Sequence, residues 1–181
     1  MADADLERRL RERFERGLPD RVVQLKTLRY SRVIGGHHFA EASTECLELY
    51  RDGYAIGCVV CGQAVIEAML KFVGKWNGVP YQKPTEELIG DLESAGLVMP
   101  DPATVARLAW RDRNDFHHLN PRFASIDLWG KARGCVDAVC ALEDDIFGVD
   151  FLDGALIPRK PAYWDYPSDG KIVAFVRNLD I

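Results

Sequence analysis

Residues 54–73 read Tyr54-Ala55-Ile56-Gly57-Cys58-Val59-Val60-Cys61-Gly62-Gln63-Ala64-Val65-Ile66-Glu67-Ala68-Met69-Leu70-Lys71-Phe72-Val73, and this stretch decides the fold class. Ile56, Val59, Val60, Ala64, Val65, Ile66, Met69, Leu70, Phe72 and Val73 are apolar on most sides of a 3.6-residue turn. A helix of that kind is the central member of a bundle. Its polar residues Gln63, Glu67 and Lys71 fall four apart and are predicted to form a single stripe. Asn77-Gly78-Val79-Pro80 ends it. Upstream, the helical pattern extends back to Glu41, with a break predicted near Asp52-Gly53.

Further helices flank this one. Leu6, Leu10, Phe14 and Leu18 recur every four residues among arginines and glutamates, which predicts an amphipathic helix over 4–18. Residues 19–39, with Pro19 and Gly35-Gly36, read as loop with a short element. Pro84 followed by Glu86 and Glu87 opens a helix running to Gly96. Asp101-Pro102 is an N-cap followed by proline, so a helix is predicted over 102–119, stopping at Asn120-Pro121. Another spans about 126–147 and closes at Gly148. The tail carries the turn Pro167-Ser168-Asp169-Gly170 and a predicted strand from Lys171 to Val176. The fold class is therefore all-α, a bundle of about five helices with a small irregular or β C-terminal appendage.

With 181 residues, 48% of them hydrophobic and 28% charged, the chain fits one globular domain with a sizeable core. The apolar runs read as shorter than the ~20 residues that span a bilayer, and a signal-peptide core is not evident, so a cytoplasmic location and no membrane partner are expected. Net charge is −5, which excludes a broadly basic nucleic-acid coat. Residues 1–32 depart from this, with nine Arg/Lys against six Asp/Glu, or +3. That end is either a basic face for phosphate or a solvated helix with intrahelical ion pairs.

Five cysteines make a sparse, odd set without a disulfide framework. Cys58-Val59-Val60-Cys61 has metal-knuckle spacing that Cys135 and Cys140 would complete. It lies inside the most apolar helix without a glycine-rich turn, so buried free thiols are the stronger reading and no metal or cofactor is expected. His37-His38 lacks a nearby ligand pattern and reads as structural or surface.

The chemistry concentrates in Arg113-Asn114-Asp115-Phe116-His117-His118. Arginine holds phosphate charge and histidine moves a proton near neutral pH. On one continuous 102–119 helix, Val105, Leu108, Ala109, Phe116 and Leu119 form the core face. Arg107, Arg111, Asn114 and His118 lie opposite, with Trp110, Arg113 and His117 on a flank. Asn114 and His118 share a face, whereas Arg113 and His118 are separated by about 140°. Glu67 needs a partner, either an arginine of this helix or solvent.

The run Leu108-Ala109-Trp110-Arg111-Asp112-Arg113-Asn114-Asp115-Phe116-His117-His118 resembles the signature helix of the HEPN family (higher eukaryotes and prokaryotes nucleotide-binding domain). That signature is arginine, four to six residues, then histidine, often with a polar residue directly after the arginine. Glu45 to Ala55, leading into Ala64 to Lys71, is similar to the family's long paired helices. The likeness covers about residues 41–147. It implies a HEPN-like helical domain over 1–149, best matched over 39–149, and a C-terminal extension over 150–181 packing on the bundle.

The resemblance further implies a homodimer whose signature helices line a shared cleft. It implies a metal-independent endoribonuclease, RNA as substrate, and a toxin or defence role with an antitoxin protein as partner. Arg113 is then the phosphorane-stabilising residue, Asn114 the orienting residue and His118 the general acid/base. Arg111 and His117 satisfy the same loose spacing and, with Glu67, form a second rank. Other members of the family only bind or scaffold, so a silent module binding nucleotide, RNA or protein is the alternative.

Overall fold

A computed structural model describes residues 2–165 and 172–179. Among these residues the chain forms seven α-helices and four short strands. The helices are α1 (Ala2–Thr27), α2 (Ala40–Arg51), α3 (Ala55–Trp76), α4 (Thr85–Ser94), α5 (Pro100–Trp110), α6 (Arg113–His118) and α7 (Leu128–Phe147). The strands are β1 (Val33–Gly35), β2 (Val149–Leu152), β3 (Ala155–Pro158) and β4 (Ala174–Val176). The mostly helical class agrees with the expectation.

α3 is the centre, lying against α2, α4, α6 and α7, while α7 runs along both α3 and α5. Val59, Val65, Ile66, Met69, Leu70 and Val73 are buried, whereas Ile56 and Ala64 face solvent. By length and composition α3 also satisfies the requirement for crossing a membrane, which the expectation of only shorter runs missed; half of its apolar window is buried in the bundle. The break predicted before it is real: α2 ends at Arg51, and Gly53 turns the chain at φ 88°, a conformation that only glycine adopts without strain. Gly62 has a different role. A Cβ there would lie 3.0 Å from Cys135 Cβ and 3.1 Å from Cys46 Sγ, so its absence lets α2, α3 and α7 approach closely.

The predicted Gln63/Glu67/Lys71 stripe splits. Gln63 is fully buried, while Glu67 and Lys71 form an ion pair of 2.7 Å at the surface. Two helix starts also differ from expectation. α1 continues through Pro19 to Thr27, since losing one N–H on an exposed turn leaves the carbonyl partner to solvent. α5 begins at Pro100 rather than after Asp101, because the Met99 N–H donates to Asp145 of α7 at 3.1 Å. α7 starts as its sequence suggests, with Asp127 accepting from Gly130 N at 3.1 Å.

The C-terminal segment is tied into the bundle. β4 pairs antiparallel with β1, Ile34 facing Phe175. Arg177 then enters the core and donates to Glu143 Oε2 at 2.8 Å, Thr44 Oγ1 at 3.1 Å and the Ser31 carbonyl at 3.0 Å. It also bonds Ser43 Oγ and Glu143 Oε1. β2 and β3 form a hairpin across Asp153-Gly154, both at positive φ (52° and 80°), the pattern of a tight primed turn. The predicted strand 171–176 is observed at Ala174–Val176; Lys171 and the turn at Pro167 to Gly170 lie outside the described residues.

Candidate functional site

The predicted 102–119 helix is two helices. α5 stops at Trp110, Arg111 turns extended (φ −52°, ψ 144°), and Asp112 adopts a left-handed conformation at φ 64°. α6 then runs for six residues and ends at Leu119, again left-handed at φ 48°. The physical reason is non-local. Three carbonyls that a continuous helix would bond to its own N–H groups are taken by side chains from elsewhere. Gln63 of α3 donates to the Ala109 carbonyl at 2.9 Å. Lys131 of α7 donates to the Leu108 carbonyl at 2.9 Å and also bonds the Arg111 carbonyl. An ammonium at the C-terminal end of α5 meets both its orphan carbonyls and its negative dipole end.

The acidic side chains of the junction are fixed as well. Asp112 pairs with Lys131 at 3.6 Å and Arg122 at 3.2 Å; Asp115 lies 3.7 Å from Arg122 and accepts from Asn120 Nδ2 at 3.1 Å. Burial pushes the Lys131 ammonium below its usual range, partly countered by Asp112. Phe116 anchors α6, fully buried and edge-on to Phe123 with ring centroids 5.3 Å apart.

This break overturns the single-helix wheel and part of its core face. Ala109 and Phe116 are buried as expected, but Leu108 and Leu119 are exposed at 50% and 64%. Along α5 the buried stripe is Ala103, Ala106 and Ala109. Asn114 and His118 are exposed, one turn apart on α6, and Arg111 is exposed before it. Arg113 and His117 form a second, inner pair. The Arg113 guanidinium lies 5.7 Å from the Trp110 ring centroid, within cation–π range. Arg113 Nε and His117 Nε2 are both buried without a hydrogen-bond partner. His117 binds its proton less tightly than a free imidazole, chiefly through burial, then through its neighbours Arg113 and His118. Glu67 acts in the opposite direction. The ion-pair partner of Glu67 is Lys71 rather than a signature arginine.

One concavity borders this helix and another lies along α3. A cleft of about 690 Å³ is lined by Arg111, Arg113, Asn114 and Arg122 together with Glu86 and Asp115. A groove of about 860 Å³, which sequence reasoning missed, runs along α3 past Glu67, Lys71, Phe72, Lys75, Trp76 and Tyr81. Its only signal was the four-residue spacing of Glu67, Lys71 and Lys75. His38 is exposed at the groove, while His37 is structural: its Nε2 contacts the Tyr163 carbonyl at 2.8 Å and its ring lies 4.4 Å from Phe72.

Among the described residues no cluster of three or more His, Cys, Asp or Glu could hold a metal. Cys58 approaches Cys46 (Sγ to Sγ 3.9 Å) and Cys61 donates to the Ala42 carbonyl at 3.2 Å. Burial pushes the Cys135 and Cys140 thiols up to about 12, so both stay protonated at neutral pH. Comparison with protein-family models, curated proteins and solved structures finds no match.

Proposed function

We propose that the chain is a HEPN-like, metal-independent endoribonuclease, a hydrolase whose site is completed by a second copy. One observation carries this reading: Arg113, Asn114 and His118 are presented together on a six-residue helix held at both ends. Asn114 and His118 face solvent, where an RNA strand or a second α6 can reach them. Arg113 is braced against Trp110 and lines the cleft beside Asn114, where its guanidinium would meet a phosphate oxygen.

In the reaction, His118 takes the proton of a ribose 2′-hydroxyl as its oxygen attacks the adjacent phosphorus. Arg113 meets the charge that grows on the phosphorane, and Asn114 orients the phosphate or the His118 ring. The 5′-oxygen leaves with a proton, giving a 2′,3′-cyclic phosphate. His117, neutral through burial and its neighbours Arg113 and His118, is the second-rank base, and Arg111 the second-rank cation. A toxin or defence role, with an antitoxin protein as partner, follows from the same reading.

The test is incubation with RNA in EDTA beside His118→Ala, His117→Ala and Arg113→Ala. Cleavage with cyclic phosphate ends, lost in the His118 and Arg113 variants, supports the proposal. Loss in His117→Ala but not His118→Ala moves the base to the inner pair.

A second reading has its own support. The cleft sets Glu86, Asp112 and Asp115 against Arg111, Arg113 and Arg122, and Arg122 is already paired with the two aspartates. Such charge balance gives little grip on a polyanion. A silent HEPN-like module binding nucleotide, RNA or a protein partner is then the reading, and equal, negligible cleavage by wild type and His118→Ala establishes it.

A further inference from the structure

The N-terminal half of α1 stands in solvent. Residues 3–16 are all exposed, and the helix touches the body only through its C-terminal third. There Arg21 lies 3.7 Å from Asp52, and Arg133 donates to the Thr27 carbonyl at 2.9 Å. The exposed half nevertheless carries an ordered apolar stripe: Leu6, Leu10, Phe14 and Leu18 are 51%, 58%, 54% and 44% exposed. An amphipathic stripe more than three turns long, with none of the described residues packed on it, marks an interaction surface.

The charge around the stripe identifies the kind of partner. Residues 2–18 hold five acids (Asp3, Asp5, Glu7, Glu12, Glu15) and five bases (Arg8, Arg9, Arg11, Arg13, Arg16), a net charge of zero. Several of these are paired within the helix, as Arg8 is to Asp5 at 2.6 Å and to Glu12 at 2.9 Å, and Arg11 to Glu7 at 3.0 Å. RNA and anionic membrane surfaces select a cation excess, which is missing here. A protein helix requires no such excess.

The order of residues selects which protein helix. Read along one face, the stripe runs Asp3, Leu6, Leu10, Phe14, Leu18, Arg21, an acid at one end and a base at the other. Arg21 belongs to this face, since its guanidinium lies 4.5 Å from the Phe14 ring centroid. Asp3 takes part in no ion pair among the described residues. We infer that α1 pairs antiparallel with α1 of a second copy of this chain. A two-fold axis at the level of residue 12 sets Leu10 opposite Phe14, Leu6 opposite Leu18, and Asp3 opposite Arg21 at both ends. The parallel arrangement would instead oppose Asp3 to Asp3 and Arg21 to Arg21. This pairing is independent of the ribonuclease reading, and neither RNA nor catalysis enters its test.

Sedimentation of the full chain across the micromolar range decides the matter. Wild type sediments as a dimer. Leu10→Glu/Phe14→Glu raises the dissociation constant on the order of a hundredfold or more, with the circular dichroism of the bundle retained. Under oxidation, Leu6→Cys mixed with Leu18→Cys cross-links between chains, while Leu6→Cys alone does not. A monomeric wild type overturns the proposal, as does a dimer untouched by Leu10→Glu/Phe14→Glu. Cross-linking of Leu6→Cys alone overturns the antiparallel arrangement. A monomer that co-sediments with vesicles of phosphatidylserine assigns the stripe to a membrane surface and also overturns it.

Discussion

Arg177 and Glu143, 34 positions apart, form an ion pair in which neither side chain retains any solvent exposure. Ser43, Thr44 and the Ser31 carbonyl complete the shell around the guanidinium, so α2, α7, the segment before β1 and the segment after β4 meet at one charge. Removing one partner strands the other in the core. Arg177→Met or Glu143→Leu alone is expected to cost about 3–5 kcal/mol in urea unfolding, whereas the double variant recovers most of that loss. Equal costs for the single and double variants would sink the idea.

His117 ties stability to pH. Its proton is held less tightly in the folded chain than in the unfolded one, where the ordinary value is about 6.5. The unfolded state therefore binds more protons as the solution is acidified. The contribution of neutral His117 is complete above about 6.5 and is lost as pH falls through the lower folded value. Unfolding free energies of wild type and His117→Gln should accordingly shift in favour of the variant between pH 7.5 and pH 5. A gap that does not change with pH contradicts the assignment.

Gln63 holds the α5–α6 junction open from inside the core. Gln63→Leu keeps the volume but leaves the Ala109 carbonyl with only the distant Cys135 thiol at 3.9 Å. A loss of about 1–3 kcal/mol is expected. If cleavage depends on where α6 presents Arg113, the variant also lowers cleavage although it touches no RNA. Stability and cleavage both at wild-type level would show that the junction does not need this bond.

Leu119 is left-handed and 64% exposed, so its side chain buries little against the strain it carries. Asparagine tolerates that backbone better. Leu119→Asn should raise the melting temperature, with a gain of up to about 1 kcal/mol. A clear drop would mean that Leu119 makes a contact in solution which the single chain lacks.

Most helices were legible because their signals are local. The apolar run of α3, the acidic start of α4 and the Gly148 stop of α7 each lie within a few residues of what they determine. The α5–α6 break was not, since Gln63 and Lys131 reach it from 46 and 20 or more positions away. One misplaced assumption, a continuous helix over 102–119, then put Leu108 and Leu119 in the core. The Asp153-Gly154 hairpin had a local signal, an Asp-Gly pair between apolar residues, which the reading of 150–181 passed over. At the site, the exposure of Asn114 and His118 followed from sequence. The inward turn of Arg113 onto Trp110 and the burial of His117 Nε2 required the α5–α6 break and the tertiary contact between α3 and α6.

The Arg177 knot also has an order in time. Its guanidinium bonds Ser43 across 134 positions and the Ser31 carbonyl across 146. A ribosome delivers the chain from the N-terminus, so α2, α3 and α7 emerge before Arg177, the charge that will neutralise Glu143. Until residue 177 clears the exit tunnel, the nascent bundle carries an uncompensated carboxylate facing its interior. Closure of the bundle around Glu143 therefore waits for residue 177.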